Sequence, residues 1–100
     1  MPPNDDNSNK LNAELRQLDN DLDRLRREYE KYFRGARNRP PNNKRNQVER
    51  QIRELEQTTF KNTSLKFRFR SLSQRYNTYK QKWNRIQRQK ERGTYEPDRK

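Results

Sequence analysis

Every leucine and tyrosine in the first third of the chain falls on one spacing. Leu11, Leu15, Leu18, Leu22, Leu25, Tyr29 and Tyr32 follow one another at steps of 4-3-4-3-4-3. An α-helix turns once in 3.6 residues, so this spacing gathers all seven side chains into a narrow stripe. Leu11, Leu18, Leu25 and Tyr32 take heptad position d, and Leu15, Leu22 and Tyr29 take a. No glycine or β-branched residue interrupts the run. The pattern predicts a helix over residues 10–33, capped by Ser8 or Asn9. Residues 1–9, rich in Pro, Asn and Asp, read as a disordered lead.

Gly35 ends this helix, and residues 34–43, fixed by Pro40 and Pro41, form a basic loop. The stripe restarts at Val48, Ile52 and Leu55, then falters across Thr58, Thr59, Asn62, Thr63 and Ser64. It resumes as Leu65, Phe69, Leu72, Tyr76, Tyr79, Trp83 and Ile86, again at 4-3-4-3-4-3. Traced through Thr58 and Asn62, the seam loses one residue, a 3-3 step that resembles a coiled-coil stammer. Neither Pro nor Gly occurs from Asn42 to Arg92. One long helix over 44–91 is therefore preferred to two helices split at Asn62, with residues 92–100 as a frayed tail after Gly93 and Pro97. The expected fold is all-α: an antiparallel helical hairpin, coiled-coil-like, with a long second helix.

Composition narrows the function. The chain of 100 residues has no Cys and no His, which removes disulfides, thiol chemistry and His-based triads. Gly35 and Gly93 are its only glycines, too few for a phosphate-cradling loop. Asp19, Asp21 and Asp23 alternate at i, i+2 and so divide over different helix faces, which argues against a shared metal site. A helical hairpin also offers no pocket to activate a Ser–Lys pair. No enzyme, cofactor or metal is expected. With no apolar stretch at its start, the chain reads as cytoplasmic, without signal peptide or membrane span. Only 24% of residues are apolar, against about 45–50% in ordinary domains counted with Gly, so an isolated compact globule is not expected.

Charge is polarised. Lys and Arg number 26 and Asp and Glu 14, a net of +12. Residues 1–33 carry −2, residues 34–60 +4 and residues 61–100 +10, with no carboxylate between Glu56 and Glu91. In the first helix the g positions are acidic: Glu14, Asp21 and Glu28. On the arm they are basic: Lys61, Arg68, Arg75 and Lys82, with Lys66 and Lys80 at e. Antiparallel coiled coils set g against g, so the two rows read as a pairing code. The plainer alternative is two solvated faces, with each pair worth about 0–1 kcal/mol.

A hairpin places Leu11 near residue 66, so most of the arm would lack a partner on its own chain. The seam of Leu65, Phe69, Leu72, Tyr76, Tyr79, Trp83 and Ile86 then predicts a homo-oligomer, an antiparallel dimer first, or a helical protein partner. The same aromatics could alternatively stack on nucleic acid bases. Two cation sets remain: the loop cluster Arg34, Arg37, Arg39, Lys44 and Arg45, and Arg70, Arg85 and Arg88 on the arm. They suit an anionic partner, DNA or RNA included, through the phosphate backbone. The chain is expected to be an assembly or adaptor module with a basic arm, or alternatively a sequence-nonspecific nucleic-acid-binding protein. A narrow seam disfavours a membrane-surface role.

The block from Asn62 to Trp83 (NTSLKFRFRSLSQRYNTYKQKW) and the ending Glu91–Tyr95 (ERGTY) resemble small helical bacterial proteins. In these an acidic heptad helix and a Pro-containing loop precede similar Asn-Thr, Arg-Phe and Arg-Tyr-Asn elements. The resemblance spans residues 11–95. It implies the helical architecture and carries over no functional residue.

Overall fold

The computed structural model describes residues 3–93 and is all-helical, with α1 (Pro3–Phe33), α2 (Asn42–Glu56) and α3 (Thr63–Glu91). The lead expected over 1–9 is instead helical from Pro3. Proline suits a first helical position, because its missing N–H has no intrahelical partner to lose there. Met1, Pro2 and the stretch 94–100 of the expected tail lie outside the described residues.

Gly35 closes α1 with φ +88. Its N–H donates to the Tyr32 carbonyl at 3.1 Å, and the Ala36 N–H donates to Lys31 at 2.9 Å. This pair of bonds is the Schellman arrangement, which needs a left-handed residue and so a glycine. Pro40 and Pro41 then turn the chain, and the Pro41 carbonyl accepts the Arg45 N–H at 3.0 Å to start α2.

The single helix expected over 44–91 is broken at residues 57–62. Thr58 folds its hydroxyl onto the Glu54 carbonyl (3.1 Å) while its N–H donates to Leu55 (3.1 Å), which tightens the last turn of α2. The Asn62 side chain accepts the Leu65 N–H at 3.2 Å and caps α3. Between them Phe60 stacks on Phe69, with ring centroids 5.5 Å apart, and anchors the joint.

The break folds α3 back along α1. α2 runs antiparallel to α1, joined by Arg45 to Tyr29 and Gln51 to Asp21. α3 runs parallel to α1: Arg68 reaches Asn12 and Arg75 reaches Asp19, both 56 residues apart in sequence. The result is three helices side by side, 59 × 22 × 19 Å overall.

Between them lies one core. Leu15, Leu18, Leu22 and Leu25 are 0% exposed, and Val48, Ile52, Leu55, Phe69, Leu72, Tyr76 and Trp83 close over them. A hairpin partner covers one side of such a stripe; complete burial needs α2 and α3 together. Phe69, Leu72, Tyr76 and Trp83 are thus inside the single chain, with Leu65, Tyr79 and Ile86 packed at the margin. The seam expected to require a second subunit is satisfied by α1. Energetics favour this route. The six residues 57–62 give up helix bonds worth about 0.5–1.5 kcal/mol each in net terms. Each large apolar side chain taken from water into a core is worth about 1.5–3 kcal/mol, and four of the α3 stripe are fully inside. The apolar content is low, yet nearly all the large apolar side chains among the described residues pack in or against the core.

Candidate functional site: a basic end and a carboxylate-free helix face

Because α3 runs parallel to α1, its last three turns lie beside the α1–α2 loop. Asn84 accepts from Arg45 at 3.2 Å, and the Lys90 ammonium sits 4.1 Å from the centre of the Tyr32 ring. Two segments distant in sequence thereby share one end of the bundle. Residues 30–45 and 80–92 together hold twelve Lys or Arg against Glu30 and Glu91, a net of +10 out of +12.

Within this end, Arg34, Arg39, Lys82, Arg85 and Arg88 are exposed, and none pairs with a carboxylate among the described residues. Lys44 is exposed too and, like Arg37 at 3.8 Å, acts on the Glu28 carboxylate. Arg70 projects from α3 nearer its start and is exposed. Five unpaired cations on the α1–α2 loop and the end of α3 raise the local potential, which recruits polyanions and steers their approach.

Arg45 belongs elsewhere. It is expected among the anion-binding residues, but it is half-buried and its guanidinium is already committed. One Nη donates to the Tyr29 hydroxyl at 3.1 Å, the other to Asn84, and Nε lies 3.6 Å from Glu49. Burial opposes the charge of Arg45, but the Tyr29 and Tyr76 hydroxyls together outweigh it and raise the pKa. Glu49 also accepts a short hydrogen bond from the Tyr76 hydroxyl, which holds its carboxyl below the usual range, with Arg45 and Lys80 adding to the effect. Burial, then the hydrogen bond to Glu49, pushes the Tyr76 hydroxyl well up. This cluster ties the three helices together beneath the basic end.

Of the acidic and basic g rows expected to pair, Asp21, Glu28, Arg68 and Arg75 each take other partners. Asp21 accepts from Gln17 (3.0 Å) and Gln51 (2.9 Å). Glu28 pairs with Lys31 at 3.2 Å, whose hydrogen bond lowers its pKa, and Glu14 lines an open α1–α2 groove with Gln51 and Glu54. Arg68 and Arg75 do face α1, but at its e positions: Arg68 donates to Asn12 at 3.0 Å and Arg75 to Asp19 at 2.5 Å. Parallel helices bring g against e, and the two contacts recur one heptad apart on both helices. The next pair in that series is Lys82 with Arg26, two cations; Lys82 stays exposed and Arg26 turns to Asp23 (2.9 Å) and Glu30 (2.7 Å). Lys61 is exposed in the joint before α3.

The cross-helix roles of Asn12, Asp19, Tyr29 and Glu49 are the ones that sequence reading missed. For Asp19 and Asn12 the signal is their shared e position, legible only once the direction of α3 is known. No cluster of groups able to hold a metal ion occurs among the described residues, and no helix there is long and apolar enough to cross a membrane. No family model, curated protein or solved structure matches this chain.

Proposed function

We propose that this chain is a non-enzymatic polyanion-binding module that holds the phosphate backbone of a nucleic acid on its basic end, without reading base sequence. One observation carries the reading: the fold brings the α1–α2 loop and the end of α3 together, and leaves Arg34, Arg39, Lys82, Arg85 and Arg88 exposed without carboxylate partners among the described residues. Phosphate contacts by such side chains supply affinity and no sequence information. Assembly through the α3 stripe, the other expected role, has lost its physical motive, since that stripe lines the chain's own core.

The test is a salt titration of binding to DNA and RNA. Each phosphate neutralised contributes about 0.9 to the slope of log K against log salt on duplex DNA, and about 0.7 on single strands. Replacing Arg34, Arg39 and Arg85 with Gln should flatten the slope by about 2–3 and weaken all sequences alike. Absence of binding at low salt overturns the proposal. Equal affinity for poly-glutamate would instead identify an adaptor for acidic proteins.

A further inference from the structure

Phe67 is the one large apolar side chain left exposed among the described residues, at 63%. It lies outside the heptad stripe, one residue from Lys66 and one turn from Arg70. At 100° per residue, Phe67 points away from the side of α3 that carries Phe69, Leu72, Tyr76 and Trp83. No ring contact or hydrogen bond engages its side chain among the described residues. A polar residue there would keep the helix and the core intact, which leaves the ring available to a partner.

The rest of that face shows what lies outside. Phe67 and Arg85 are 18 residues apart, five whole turns, so they stand in line about 27 Å from one another. Within the same sector fall Arg70, Ser71, Gln74, Thr78, Gln81 and Arg88. All are cationic or hydrogen-bonding, and each is exposed. The outer faces of α1 and α2 mix both charge signs; the α3 face has no carboxylate between its start and Glu91. A carboxylate-free polar track, with an exposed ring and Arg70 at one end and a cluster of cations at the other, matches a polymer with phosphates along its length and accessible flat bases. A duplex hides its base faces by stacking; a single strand presents them.

We infer that the outer face of α3 is a single-strand track, with one base stacked on Phe67 and the backbone led past Arg70 to Arg85 and Arg88. This deepens the polyanion reading and rests on it, adding a preference for unpaired over paired strands. Phe67 is absent from the core, so Phe67→Ala should fold with unchanged helicity and melting temperature.

Fluorescence anisotropy with labelled single-stranded DNA and RNA of about 16 nucleotides, the matching DNA duplex, and polyphosphate as a base-free competitor decides it. Phe67→Ala should weaken single-strand binding about 5- to 150-fold, the span found for removal of one base–aromatic stack. Duplex and polyphosphate binding should stay at the wild-type level, and Phe67→Trp should restore the single-strand affinity. Unchanged single-strand binding by Phe67→Ala, or an equal loss on duplex, overturns the track while leaving polyanion binding in place. Failure of the wild type on all probes overturns the polyanion reading itself.

Discussion

Trp83→Ala separates a core that belongs to one chain from a seam between chains. Trp83 is the only tryptophan and is 3% exposed. Its ring stacks on Tyr29 with centroids 4.1 Å apart and planes 15° off parallel. It also lies 5.5 Å from the Tyr79 ring and meets Tyr76 edge-on at 6.3 Å. Truncation removes the indole from three partners at once and leaves a hole beside the Arg45 cluster. Large aromatic-to-alanine changes in cores cost about 3–5 kcal/mol. Domains of this length hold about 5–15 kcal/mol in all, so the variant should sit near the edge of stability. At about 4–8 °C per kcal/mol for a domain of this size, the melting temperature should fall by about 12–40 °C. Trp83→Phe keeps a ring over Tyr29 and should recover most of the loss. Thermal melts followed by far-UV circular dichroism, at low and high protein concentration, with light scattering on the same samples, provide the measurement. The expected result is a monomer whose wild-type and variant melting temperatures do not move with concentration. A wild-type melting temperature that climbs with concentration, together with dissociation of an oligomer by Trp83→Ala, would refute the single-chain core.

The parallel direction of α3 is tested by charge exchange. Asp19→Lys and Arg75→Glu should each destabilise by about 0.2–1 kcal/mol, small because both side chains are near 40% exposed, and the double exchange should recover the loss in urea unfolding. Reversing Glu14, Asp21 and Glu28 together with Arg68, Arg75 and Lys82 should show no such recovery, since those rows do not meet. Acid should weaken the fold through Glu49. Its carboxyl is held below the ordinary 4.5, so its contribution is complete above about pH 4.5 and lost as pH falls through the lower folded value. Tyr76 has the opposite sense: raised above the ordinary 10.0, it contributes fully below about pH 10 and loses that as pH rises further. Melting temperature against pH should show both limbs, and Glu49→Gln should flatten the acidic one.

Much of the local structure follows from residue order alone. The 4-3 spacing of Leu11 to Tyr32 dictates a helix with one apolar stripe, and Gly35 dictates its end, because only a residue free to enter the left-handed region can close it with the observed bonds. The stripe of α3 and its membership of a core were equally legible, since seven side chains at helical spacing need cover. The exclusion of thiol and histidine chemistry is a matter of composition, and so is the charge gradient.

Tertiary structure decided what covers the stripe and which charges meet. At residues 57–62 the local preference is nearly indifferent, because no Pro or Gly forbids a continuous helix and Asn62 can either pass through or cap. The balance is tipped by contacts far away in sequence, the burial of Phe69, Leu72, Tyr76 and Trp83 against α1, which no local window contains. Once the chain turns there, α3 runs parallel instead of antiparallel, and Arg68 and Arg75 meet e positions of α1 in place of its g row. The same reversal carries Arg85 and Arg88 to the side of Arg34, Arg37 and Arg39, and takes Arg45 out of the surface into a hydrogen-bonded joint. Heptad letters specify which face of a helix is apolar; the direction of its neighbour, which selects the charges that touch, is set by the path of the connecting turn.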